Sequence, residues 1–168
     1  MKRLVILLAL SLTGGLSSAR AQVNPGSMPA SKPATSGKVW GALIYATNGK
    51  ATALPASVPA DLKDLAKRLG KVFHFTRFDI IGEHTQDVFR QYESWVVPSR
   101  ELFIKLDSKG PAVGGGLKLN LQFWRQEQVL VKTDTILRPQ SPLFIGGPKW
   151  RDGQLVFVLL LTEDGKKK

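Results

Sequence analysis

The sequence predicts a mainly β fold with one helix: an antiparallel β-sandwich or curved sheet of roughly seven to eight short strands, with the helix between the first two strands. Three observations carry this reading. Short runs rich in β-branched and aromatic residues recur along the chain, separated by Gly, Pro, Asn-Gly and Asp-Gly turn signals. Leu117–Trp124 alternates strictly, with Leu117, Leu119, Leu121 and Phe123 on one face and Lys118, Asn120 and Gln122 on the other. Only one segment, Pro59–Leu69, places apolar residues at helical spacing. No internal repeat of fixed period is present.

Taken in order, the chain opens on a targeting signal. Lys2 and Arg3 precede the apolar run Leu4–Leu12, and Ala19-Arg20-Ala21 is a small-x-small cleavage site, the three parts of a secretory signal peptide over residues 1–21. The run is shorter than the ~20 apolar residues that a membrane-spanning helix needs, which weighs against the competing reading, a single-pass N-terminal anchor. A lipoprotein needs a Cys to carry its lipid, and the chain has none. The expectation is export to the periplasm or the extracellular space, with cleavage after Ala21. Intact-mass analysis of the exported protein checks it: a mass without residues 1–21 is expected, and a mass retaining them overturns it.

Residues 22–37, QVNPGSMPASKPATSG, lack apolar periodicity and cannot bury enough surface to offset the entropy of ordering them. They read as a flexible linker. Residues 38–163 suit a single β-rich domain, long enough to build a core without staples. Residues 164–168 form a basic tail ending in Lys166–Lys168.

Within the domain, Lys38–Thr47 reads as the first strand and Asn48-Gly49 as a turn. In the helix, Leu62, Leu65, Ala66 and Leu69 form one apolar stripe. Pro59 suits its first turn, the acids come early and the bases late, and Gly70 is the expected stop. Because the helix links two strands, a parallel β-α-β start is open. Lys71–Ile81, Gln86–Val97 and Glu101–Leu106 read as strands, and Ser108–Gly116 as a loop. Leu117–Trp124 and Val129–Leu137 form a hairpin around a turn at Arg125–Gln128. Leu143–Ile145 and Gln154–Leu161 are the last strands, joined through Gly146-Gly147-Pro148 and Asp152-Gly153 turns. Leu155–Leu161 is apolar on both faces, so it belongs in the middle of the fold, covered on both sides.

The chain carries 24 Lys+Arg against 13 Asp+Glu. Signal cleavage removes Lys2, Arg3 and Arg20 and leaves 21 bases against 13 acids, a net charge of +8. A basic exported protein suits anionic lipid or an anionic envelope polymer, whether an envelope phosphate polymer or an acidic polysaccharide, as well as simple solubility. No aromatic-plus-basic motif of a nucleic-acid module is present. The lack of Cys excludes disulfides, thiolate catalysis and Cys-based metal sites.

Catalytic constellations are poor, and the sequence nominates no catalytic residue, cofactor motif or metal-ligand set. His74 lies between Phe73 and Phe75 and should point away from them, at a surface or edge. His84 follows Gly82-Glu83, as in a turn. A two-histidine site with Asp79, Glu83 or Asp87 lacks the spacing of zinc motifs. No Gly-x-Ser-x-Gly elbow and no paired carboxylates support a hydrolase. Gly114-Gly115-Gly116 precedes a strand rather than a helix, so it reads as a hairpin loop and not a phosphate cradle. Trp40, Trp95, Trp124 and Trp150 suit either core packing or a ligand groove.

Residues 69–161 resemble small exported bacterial envelope proteins of uncharacterised type. The resemblance rests on Leu69-x-x-x-Phe73-x-Phe75-x-x-Phe78-x-x-Ile81, then Ile145-Gly146-Gly147-Pro148 and Gly153-x-Leu155 before an apolar closing strand. It implies an envelope protein and, its positions being structural, carries over no site residue. The function expected is a non-enzymatic binding or structural module whose partner is another envelope protein. Its surface is an exposed strand edge or a Trp/Arg face, with Trp124, Arg125, Trp150 and Arg151 as candidate residues. The alternatives are a secreted hydrolase or metal-dependent enzyme using His74 or His84, and a polyanion-binding protein using the scattered bases.

Overall fold

In a computed structural model of the chain, the structure describes residues 35–90 and 92–162. The expected signal peptide (1–21), residues 22–34 of the expected linker and the expected basic tail (164–168) lie outside the described residues. The elements are β1 (Thr35–Thr47), a single 3-10 turn (Ala60–Leu62), α1 (Leu65–Val72), β2 (Arg77–Phe89), β3 (Glu93–Val96), β4 (Leu102–Pro111), β5 (Leu117–Arg125), β6 (Gln128–Leu137), β7 (Leu143–Trp150) and β8 (Gly153–Thr162). They form two four-stranded sheets, ordered β2-β1-β8-β7 and β3-β4-β5-β6. The fold is mainly β, with eight strands in two antiparallel sheets and one helix between β1 and β2.

The apolar strand β8 explains the layering. Leu155, Phe157, Leu159 and Leu161 enter the layer between the two sheets, where they meet Leu106, Leu119, Leu121 and Phe123. Val156, Val158 and Leu160 enter a second layer, on the other face of the first sheet, with Leu62, Leu65 and Leu69. A strand covered on both faces gains nothing from polar alternation, which is why its sequence lacks it. β1, its neighbour, is divided the same way: Val39 and Leu43 face the inter-sheet layer, and Trp40, Ala42, Ile44 and Ala46 the helical one. Trp40 is therefore a core side chain.

Several boundaries depart from the sequence reading. β1 begins at Thr35, so Thr35–Gly37 belong to the sheet rather than to the linker. β1 and β2 pair antiparallel, which overturns the parallel start. The helix passes Gly70 and ends at Val72, where extended Phe73 donates its N–H to the Leu69 carbonyl. Phe73 and Phe75 pack against the helical layer, so burial rather than the glycine sets the exit. β2 consequently starts at Arg77. Thr76 clasps the end of the hairpin, its hydroxyl donating to the Gly49 carbonyl and accepting from the Gly49 N–H. β2 then runs to Phe89, through His84, which is a strand residue and not a turn residue.

β3 is confined to Glu93–Val96. β4 extends into the expected loop as far as Pro111, because a bulge at Lys109, beside Gly110 at φ 94°, lets Gly110 and Pro111 stay paired with β5. The glycine run does close this hairpin. Gly114, Gly115 and Gly116 all have φ between 79° and 94°, a conformation that side chains disfavour. The β7–β8 turn is made by Arg151 and Asp152, with Gly153 already in β8.

Candidate functional site

At the end of the sandwich where β4 and β8 begin and β5 and β7 finish, a cleft of about 610 Å³ opens between the sheets. Its floor is the exposed limit of the inter-sheet layer: Leu43, Leu102 and Leu155. Pro148, Trp150 and Ile81 wall it. Ile81 stands there because β2 bulges against β1, Leu43 pairing with Gly82 and Ile44 with Ile80. The extra residue projects its side chain outward, 46% exposed.

The rim is cationic. Arg100, Arg125 and Lys149 line it, with Glu101 as the one acid. Two short tethers set its shape. Ser99 Oγ accepts the Leu102 N–H at 2.9 Å and donates to the Leu102 carbonyl at 3.1 Å, closing the loop that carries Arg100 and Glu101. The Gln126 N–H donates to the Glu101 carbonyl at 2.7 Å and ties the β5–β6 turn to that loop.

Trp150 is held on two sides. Its ring meets Tyr45 edge-on at 5.0 Å, and the Arg151 guanidinium lies 4.4 Å from its centroid. The Tyr45 hydroxyl donates to the Asp152 carboxylate. That bond holds the Asp152 carboxyl below its ordinary value and raises the Tyr45 hydroxyl. The aromatic wall is thus built before anything binds.

The candidate residues divide between two places. Arg125 and Trp150 meet in the cleft, and Arg151 supports Trp150 from behind. Trp124 lies elsewhere, for a simple reason. Successive residues of a strand face opposite ways. Phe123 points into the inter-sheet layer, Trp124 therefore points outward, and Arg125 returns to the cleft side at the strand end. On the outer face of the second sheet, Trp124 stacks on Phe103 (6.4 Å, 12°) and both contact Trp95. Its indole Nε1 is buried without a hydrogen-bond partner. Lys105 lies beside this cluster, ion-paired to Glu93 and Asp107. The Glu93 hydrogen bond raises the Lys105 ammonium, burial opposes it, and the Asp107 charge adds to the rise.

The histidines stand apart from the cleft. His74 is exposed between α1 and β2. His84 Nδ1 accepts the Val97 N–H at 3.3 Å, bridging β2 to the end of β3. Among the described residues no group of three or more His, Asp or Glu converges as a metal site would require, and no helix is long and apolar enough to cross a membrane.

Sequence reasoning missed Arg100, Lys149 and Ile81. The signals for the first two were present: Arg100 follows the Pro98-Ser99 break, and Lys149 adjoins Trp150. The bulge that turns Ile81 outward has no such mark. A cleft of this volume lies within the range of ligand sites, about 300–1,000 Å³. Cations around an apolar floor accept an acidic group attached to an apolar body. No protein family, no curated protein and no solved structure matches the chain.

Proposed function

We propose that the protein is a non-enzymatic binding module of the bacterial envelope, exported by its signal peptide, that holds an acidic segment of another envelope protein in the inter-sheet cleft. The observation that supports this reading is the convergence of Arg100, Arg125 and Lys149 around an apolar floor beside the braced Trp150. A partner carboxylate meets the guanidinium groups at the rim, where paired N–H donors suit it. An adjoining apolar side chain reaches Leu43, Leu102 and Leu155. Buried aromatic and Arg anchors dominate protein interfaces, so Trp150 and Arg125 should carry most of the affinity.

Affinity purification of the exported protein from its own envelope, with mass spectrometry, tests the reading. One partner in stoichiometric yield is expected with the wild type. Arg125→Gln and Trp150→Ala should each lower its recovery about tenfold or more, as loss of an interface anchor does. Equal recovery by both variants rejects the cleft as the binding surface. Recovery of the protein alone shifts weight to a polyanion ligand or to chemistry at His74 or His84.

A further inference from the structure

The two sheets have four edges: β2, β7, β3 and β6. Three are blunted. β3 has only four residues, β7 is interrupted by Gly146-Gly147-Pro148, and β2 is bulged at Ile81 and joined to β3 by the His84–Val97 and Ser94–Phe89 hydrogen bonds. β6 is bulged too, at Leu130, but its remaining stretch Val131–Leu137 runs in unbroken register with β5, its one paired neighbour among the described residues. Of the ten large apolar residues exposed among the described residues, four lie on it: Val129, Leu130, Val131 and Ile136, each 37–40% exposed. A long apolar edge with free N–H and C=O groups is a template for another strand.

We propose that β6 is a homodimer edge, on which a second copy of this chain adds its own β6 antiparallel, with Thr133 facing Thr133 on the two-fold axis. The register follows from the strand itself. The free backbone groups along an antiparallel edge belong to every second residue, so two identical edges pair only in registers symmetric about a residue. Within the regular stretch from Val131, symmetry about Thr133 places Lys132 opposite Asp134 twice and Val131 opposite Thr135 twice. Moving the axis one residue sets Lys132 against Lys132, or Asp134 against Asp134. Moving it two residues sets Asp134 against Ile136 in one direction and runs the pairing into the Leu130 bulge in the other. Like charges directly opposite are destabilising and opposite charges stabilising, so the pattern selects the Thr133 register.

The charges are prepared for it. Asp134 accepts hydrogen bonds from Asn120 at 2.7 Å and from Lys109 at 2.8 Å, which fix its carboxylate on the outer face. Lys132 makes no salt bridge among the described residues. The dimer joins the two outer sheets into one eight-stranded sheet and leaves both clefts open.

Sedimentation equilibrium of the exported chain, from about 1 µM to about 1 mM, tests this. A reversible dimer is expected for the wild type. Lys132→Asp and Asp134→Lys should each weaken it about tenfold or more, and the double exchange should restore it, because each pair is then opposite in sign again. Circular dichroism confirms that each variant is folded. Hydrogen exchange supplies an independent reading on unaltered protein: β6 amides should gain protection as concentration rises, and β3 amides should not. A monomer throughout the range overturns the proposal. So does a dimer indifferent to both single changes, or unchanged exchange on β6 in a dimer.

Discussion

Replacing Phe157 by Ala should lower the unfolding free energy by about 3–5 kcal/mol, the range for deleting a fully buried aromatic ring. Phe157 is 0% exposed and sits midway along β8, an interior strand of the first sheet. Its ring meets Phe123 of the opposite sheet edge-on at 4.7 Å, so the deletion removes the contact that joins the sheets at their centre. β8 is packed on both faces, which leaves its backbone little room to move into the hole. Native domains are stable by about 5–15 kcal/mol, so the loss approaches the whole for a weaker one. Urea unfolding measures it: the midpoint should fall steeply while the slope stays near that of the wild type. A change below about 1 kcal/mol would contradict the assignment of Phe157 to the core. Phe157→Leu keeps most of the volume and should cost distinctly less.

Phe157 also shows what was legible beforehand. A run apolar at every position reads as a strand covered on both sides, and β8 is that strand. The Leu117–Trp124 alternation likewise marked its inward face correctly, because one face of β5 is core and the other is not. The helical stripe was legible, since Leu62, Leu65 and Leu69 are all buried, but its bounds were not: Leu62 sits on the 3-10 turn Ala60–Leu62, and α1 begins only at Leu65 and runs past Gly70. Gly70 is a local stop signal, but Phe73 and Phe75 had layer contacts to reach, and tertiary packing outweighed the glycine. The Ser108–Gly116 stretch failed for a related reason: Lys109 and Gly110 form a bulge step within a paired strand, and composition alone does not separate a bulge from a loop.

The cleft was half legible. Arg125 and Trp150 attract attention as a base and an aromatic beside turns. That they face one another depends on two sheets ending at the same place, a fact of topology that no single stretch contains. Trp124 lies away from the cleft that Arg125 lines, because a strand separates neighbours onto opposite faces. Arg100, Lys149 and Ile81 reach the cleft through a loop, a strand end and a bulge, the places where local pattern carries least information.

Gly82→Val tests how fold and cleft are joined. A Cβ built at Gly82 falls 2.0 Å from the Pro98 carbonyl oxygen and 3.0 Å from its carbon. Both are backbone atoms, so no rotamer change relieves the clash. Either β2 withdraws from the β3–β4 connection or the connection moves. Overpacking of this kind costs about 1–3 kcal/mol, and more where backbone must shift, so a loss of about 3 kcal/mol is expected. The second consequence is specific to this molecule. Pro98 leads directly into Ser99, Arg100 and Glu101, the loop that supplies the cleft rim. Displacing it moves Arg100 and strains the Glu101–Gln126 bond that ties down the β5–β6 turn beside Arg125. Partner recovery should therefore fall with stability in Gly82→Val. Ile81→Ala, at an exposed cleft residue with no such clash, should reduce recovery while leaving the thermal midpoint within a few degrees of the wild type. A Gly82→Val protein as stable as the wild type would show that the close approach of β2 and Pro98 is not part of the native packing. One that is destabilised but recovers its partner fully would detach the loop from binding.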